Sequence, residues 1–175
     1  MTAILVTGGS GFIGTNLVEY YRERGQRVTN LDIRPPRNNA HSDLYKHVDI
    51  LDRPALNEAL QALQPEVIIH LAARTDLSGK SVADYAANTE GVENLVEVAA
   101  ACKSLRRMIV ASSRLVCEIG YQPKNDTDYC PTTAYGESKV QTEKIVRKAG
   151  LRTDWSLVRP TSIWGPWFGA PYDLF

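Results

Sequence analysis

Ile4-Leu5-Val6-Thr7-Gly8-Gly9-Ser10-Gly11-Phe12-Ile13-Gly14 passes from an apolar, β-rich run into closely spaced glycines, and then into an amphipathic pattern at Leu17, Val18 and Tyr21. That succession reads as strand, tight turn and helix. Gly9-x-Gly11-x-x-Gly14 has the spacing of a phosphate cradle: one glycine for the turn, one for close backbone approach and one for packing helix on strand. The helix start then offers unpaired N–H groups and a positive dipole end to an anion. A glycine-rich turn alone also joins strands to helices in folds that bind nothing, so the surroundings decide its meaning.

Val28-Thr29-Asn30-Leu31-Asp32 is a second short strand ending in an acid, placed after the glycines where a carboxylate bonds the ribose hydroxyls of an adenosine. Arg34 and Arg37 complicate the choice of dinucleotide, since arginines there could receive a 2′-phosphate. Asp32 should repel that phosphate, so NAD is expected rather than NADP.

Twenty basic and twenty acidic residues cancel, so no overall field argues for nucleic acid or an anionic membrane. The 175 residues suit one domain with a sizeable core. No apolar run reaches the roughly 18 residues of a spanning helix, and Met1-Thr2 leads directly into a strand, so a cytoplasmic protein is expected. Cys102, Cys117 and Cys130 are odd in number and lack CxxC spacing, which suits reduced thiols. His41, His47 and His70 share no ligand spacing with them, and no metal site is expected.

Further along, a third strand is expected near residues 44–48. Asp52 and Pro54 announce a helix through about Leu63, stopped by Pro65. Val67-Ile68-Ile69-His70 reads as a buried strand, and Leu71-Ala72-Ala73 as small residues that let a ligand approach the backbone. Apolar spacing predicts one long helix over residues 81–102, with Asn88 inside it as a surface side chain or a site residue. Strands at residues 106–111 and 155–158 flank a loop and a helix over residues 134–149, which Gly150 closes. Strands alternating with helices imply an α/β fold with a doubly wound parallel sheet. Residues 161–175 are strongly apolar without a regular period and read as the start of a further region.

Tyr135 and Lys139 stand four apart on the predicted helix, so phenol and ammonium share a face. An ammonium there should lower the phenol's pKa and suit it to accept a hydroxyl proton. An exposed pair with the lysine stem packed on the ring is the alternative. Ser113, at the end of a predicted strand, adds a hydroxyl where α/β sheets bind ligands, although serine there is often only a turn former.

Thr7-Gly8-Gly9-Ser10-Gly11-Phe12-Ile13-Gly14, Asp49-Ile50, His70-Leu71-Ala72-Ala73, Asn88 with Gly91 and Asn94, Ser112-Ser113, Tyr135-Gly136-Glu137-Ser138-Lys139, and Arg159-Pro160 through Gly165-Pro166 occur in this order. Together they resemble the extended short-chain dehydrogenase/reductase family, the NAD-dependent epimerases and dehydratases of nucleotide sugars. The resemblance implies a Rossmann domain over residues 1–160 and the start of a truncated substrate-binding region at 161–175. It implies that Gly8, Gly11, Phe12, Ile13 and Gly14 hold the pyrophosphate, Asp32 the ribose, and that Asp49 and Ile50 flank the adenine. Ala72, Ala73 and Arg74 would pass under the cofactor, with Asn88 near it. Tyr135 would be the base, Lys139 would bond the nicotinamide ribose, and Ser113 would bond the reacting oxygen. It also suggests a homodimer through helices near residues 84–102 and 134–149.

Two departures matter. Dehydratases of the family follow the catalytic hydroxyl with Asp-Glu, whereas Arg114-Leu115 stands here, so the acid and base for elimination are missing. Val116-Cys117-Glu118 replaces the usual Val-Tyr-Gly, which leaves the sugar open. The expectation is therefore a nucleotide-sugar epimerase. A reductase or dehydrogenase of the same family, or a non-catalytic nucleotide-binding module, is the alternative.

Overall fold

The computed structural model describes residues 1–169; residues 170–175 of the apolar tail lie outside it. Six strands form one parallel sheet: β1 (Ala3–Thr7), β2 (Arg27–Asp32), β3 (Tyr45–His47), β4 (Val67–His70), β5 (Arg107–Ala111) and β6 (Asp154–Val158). Their order is β3-β2-β1-β4-β5-β6, so the chain reverses direction across the sheet between β1 and β4. In doubly wound sheets that switch point opens a crevice at the carboxyl ends of the strands.

Both faces are covered, which is why the central strands are apolar up to their carboxyl ends and every residue of β1 is buried. On one face Ile4, Val6, Val28 and Ile69 pack with Val18 of α1 (Phe12–Glu23). On the other, Leu5, Leu31, Ile68, Met108 and Val110 meet α2 (Arg53–Leu63), α3 (Glu90–Ala100) and Val146 of α4 (Ala134–Lys148). The alternation follows the two-residue period of a strand.

Local chemistry sets the helix ends. Asp52 caps α2 by accepting from Ala55 N at 3.0 Å, and Gln64 takes a left-handed turn (φ 44°) before Pro65. Thr133 caps α4 by accepting from Gly136 N at 3.0 Å, and Gly150 (φ 60°) supplies the positive φ beyond its end.

The single helix expected over residues 81–102 is two pieces. A 3-10 segment, Val82–Asn88, precedes α3, with non-helical backbone at Tyr85 and Thr89. The cause is lateral hydrogen bonding. Asn88 turns its amide sideways into the protein instead of outward, so the surface alternative for Asn88 is corrected: it is fully buried. Among the described residues no helix is long and apolar enough to cross a membrane.

Candidate active site

At the switch point lies a cleft of about 770 Å³. Its floor begins at the turn between β1 and α1. Gly8 has φ 71°, and a Cβ there would stand 2.5 Å from Ala72 N; one at Gly14 would stand 2.2 Å from Gly8 O. Gly11 differs, because a Cβ there would meet only Gly8 O at 3.2 Å. Two glycines thus bring chain segments together, while the third leaves its backbone open to the cleft. Gly11 is also the N-cap of α1 and has no side chain to satisfy the first-turn N–H groups of Phe12, Ile13 and Gly14. The donor set and the missing Cβ atoms fit a pyrophosphate.

At one side Asp32 closes β2. Its carboxylate accepts from Ser10 N and Arg34 N, each at 3.0 Å, which fixes the acid beside the glycine turn. Ser10 Oγ donates to Arg34 O at 2.8 Å and accepts from buried Asn30 at 3.0 Å. Arg37 donates through Nε to Ser10 O at 3.1 Å and through a terminal nitrogen to Trp167 O. Asp49 and Ile50 line the same wall. The chain near residue 168 folds over this end, with the Phe168 ring edge-on to Phe12 at 4.7 Å between centroids.

Under the middle of the cleft, β1 and β4 are joined by Thr7 Oγ1 and His70 Nδ1, 2.7 Å apart. His70 is fully buried, and burial, assisted by the Lys139 charge, pushes its pKa down to about 3. Ala72, Ala73 and Arg74 line the cleft beyond it. Asn88 does not. Its Oδ1 accepts from Arg74 N at 2.9 Å, while Nδ2 donates to Arg74 O at 3.0 Å and to Ser138 Oγ at 2.8 Å. All its hydrogen-bonding capacity is directed at protein, so it stands behind the wall that Arg74 presents.

At the far end Ser113, Tyr135 and Lys139 line the cleft together. Ser113 caps a 3-10 turn, Arg114–Val116, by accepting from Leu115 N at 3.1 Å. Gly136 lets the start of α4 lie against that turn, because a Cβ there would be 2.3 Å from Leu115 O. Ser113 is thereby within hydrogen-bonding reach of the Tyr135 phenol.

The expectation that Lys139 lowers the Tyr135 pKa is corrected. Burial raises it, the Ser113 hydrogen bond acts in the lowering direction, and Tyr85, whose ring centroid lies 5.9 Å away, raises it again. The lysine is itself almost fully enclosed, and burial pushes it down to about 8 against the pull of Glu143.

Sequence reasoning missed Tyr85, Ser112 and Glu143. Tyr85 is wholly buried; its hydroxyl donates to Asp76 O at 2.8 Å and accepts from Gly79 N at 3.1 Å, shaping the loop after β4. Glu143 was legible only as one more polar residue on α4, although it falls one turn beyond Lys139 on the same face.

Fold and switch-point cleft together define a doubly wound α/β protein of the Rossmann type. Residues 4–173 match the model of the NAD dependent epimerase/dehydratase family, and the chain belongs to that family. It is 34% identical over 93% of its length to a 3-beta-hydroxysteroid dehydrogenase of Mycolicibacterium neoaurum, covering 48% of that protein. Among solved structures, UDP-glucose 4-epimerase of Thermotoga maritima with UDP-glucose superposes with a TM-score of 0.79 at 26% identity, over 94% of this chain and 57% of that one. A short-chain dehydrogenase/reductase superfamily protein of Agrobacterium tumefaciens with bound NAD gives 0.74 at 27% identity, over 89% and 48%. The chain spans about half the length of the curated relatives it matches.

Proposed function

We propose that the chain is the cofactor-binding part of an NAD-dependent nucleotide-sugar epimerase, with Ser113, Tyr135 and Lys139 as its catalytic residues. The observation that carries this reading is the single cleft that runs from the glycine cradle to these three side chains. Gly8, Gly11, Phe12, Ile13 and Gly14 would hold the pyrophosphate, Asp32 the adenosine ribose, and Asp49 and Ile50 the adenine edge. Ala72, Ala73 and Arg74 form the wall beneath, with Asn88 as their support. NAD supplies the hydride acceptor when bound. Ser113 would orient a substrate hydroxyl by hydrogen bonding, and Tyr135 would take its proton. Lys139 would bond the nicotinamide ribose.

Elimination of water finds no support, because Arg114 and Leu115 follow Ser113 where an acid and a base would be needed. The sugar itself would be held by a region that begins at residue 161. The helices near 84–102 and 134–149 would pair two copies, and the cytoplasm is the proposed location.

A second reading is favoured by the similarity to a hydroxysteroid dehydrogenase: oxidation of a secondary hydroxyl with release of the ketone. The two differ in what accumulates. In the complete protein, an epimerase supplied with a UDP-hexose returns the hydride and leaves the absorbance of NADH flat, whereas a dehydrogenase makes it rise with each turnover. Tyr135→Phe abolishes turnover under either reading while leaving NAD bound. Full turnover in that variant would reject Tyr135 as the base.

A further inference from the structure

Glu143 is a carboxylate with no exposed surface; it does not itself line the cleft, but its partner Ser112 does. Four hydrogen bonds converge on it from three other parts of the chain. Ser112 Oγ donates at 2.6 Å from the end of β5, and Tyr129 OH at 3.0 Å from the loop before α4. Arg159, just beyond β6, donates through Nε and a terminal nitrogen, both at 2.7 Å, a forked pairing that fixes direction as well as distance. Burying a charge this deeply costs several kcal/mol unless it is fully partnered, so a carboxylate here is expensive to keep merely as packing.

Its position is informative. Ser112 is the neighbour of Ser113, and Ser112 N donates to Val158 O at 2.7 Å, so one carboxylate grips the joined ends of β5 and β6. Glu143 lies on the same helix face as Tyr135 and Lys139, two turns and one turn beyond them. The strand ends bring Ser113; the helix brings the phenol and the ammonium.

We propose that Glu143 is a positioning residue of the site: it holds the Ser112–Ser113 strand end at a set distance from the helix turn bearing Tyr135 and Lys139, with its own carboxylate one helical turn from the enclosed lysine. The groups facing Lys139 agree with this assignment. From β4 there is His70, neutral and without charge to offer; from α4 there is Glu143. Glu143 is thus the only anion among them. Burial opposes the ammonium, and Glu143 opposes burial.

The inference rests on the reading of Tyr135 and Lys139 as the reacting end, but its test needs neither cofactor nor turnover. In the chain labelled with 13C at lysine Cε, the Lys139 resonance is assigned by its loss in Lys139→Met and titrated by NMR. Wild type should titrate near 8, and Glu143→Gln should lower that midpoint by about one pH unit, a tenfold weakening of the ammonium. A folded Gln variant with an unchanged midpoint overturns the proposal. Should the Gln variant not fold, Glu143→Asp decides, because it keeps the charge but withdraws it by one methylene. A smaller fall in the midpoint supports the proposal there, and the wild-type value overturns it. Full turnover in Tyr135→Phe would reject the reading of the reacting end and leave these outcomes untouched, so the two readings fail separately.

Discussion

Asn88 Nδ2 donates to Ser138 Oγ at 2.8 Å, and this contact fastens the loop after β4 to the helix that carries Tyr135 and Lys139. Ser138 Oγ in turn donates to Tyr135 O at 2.7 Å. A buried amide therefore couples the Arg74 wall of the cleft to the helix turn bearing Tyr135 through short polar contacts.

Asn88→Ala removes three hydrogen bonds from a closed interior and leaves the Arg74 N–H and C=O unpartnered. Such a loss costs about 2–4 kcal/mol, combining unmet polar groups with a small cavity. Urea unfolding should report that drop, and NAD should bind more weakly to the folded fraction because Arg74 lines the cleft. Wild-type stability in the variant would show that water replaces the amide without loss.

Gly14→Ala places a methyl 2.2 Å from Gly8 O and 2.6 Å from Gly9 Cα, both backbone atoms that cannot rotate away. The turn must open, and with it the cradle. Calorimetry is expected to show NAD affinity reduced at least about tenfold, or roughly 1.4 kcal/mol. Gly25→Ala is the control for a change at a glycine, since a Cβ there meets nothing within 4 Å, although its positive φ costs some stability.

The proposed role of Asp32 is to set the choice of dinucleotide. With its carboxylate held by Ser10 N and Arg34 N, it cannot swing aside for a 2′-phosphate. Wild type should bind NAD more tightly than NADP. Asp32→Ser, which removes the repulsion and leaves Arg34 and Arg37, should narrow or reverse that preference. A wild-type preference for NADP would discard the role given to Asp32.

His70 introduces a pH dependence of known sign. The unfolded imidazole titrates near 6.5, and the buried one near 3. Between those values the unfolded chain binds the extra proton, so the contribution is complete above about 6.5 and declines as the pH falls, by up to about 1.4 kcal/mol per unit. Urea midpoints measured at several pH values from 7 to 4 should fall less steeply in His70→Gln than in wild type. Parallel slopes would mean that the folded imidazole already titrates normally.

Residues 4–14 and the alternation of short apolar strands with amphipathic helices were enough to determine a doubly wound sheet, because both depend on local spacing: the period of two, the period of 3.6, and glycines where the backbone must turn or approach closely. The caps at Asp52 and Gly150 were readable for the same reason. The expected residues Gly8, Asp32, Asp49, Ala72, Ser113, Tyr135 and Lys139 came from motifs in a fixed order, and the fold brings them to one cleft.

What the tertiary structure alone decided concerns burial and partners distant in sequence. At the break before α3, the Asn88 carbonyl accepts from Thr142 Oγ1 of α4 and its side chain bonds Arg74, fourteen residues earlier, partners that no local spacing announces. The Tyr135 pKa is raised and not lowered because burial of the phenol dominates, and no one-dimensional spacing reports enclosure. Glu143 gained its place for the same reason. Its partners, Ser112, Tyr129 and Arg159, lie on other elements and meet only when β5, β6 and α4 have packed.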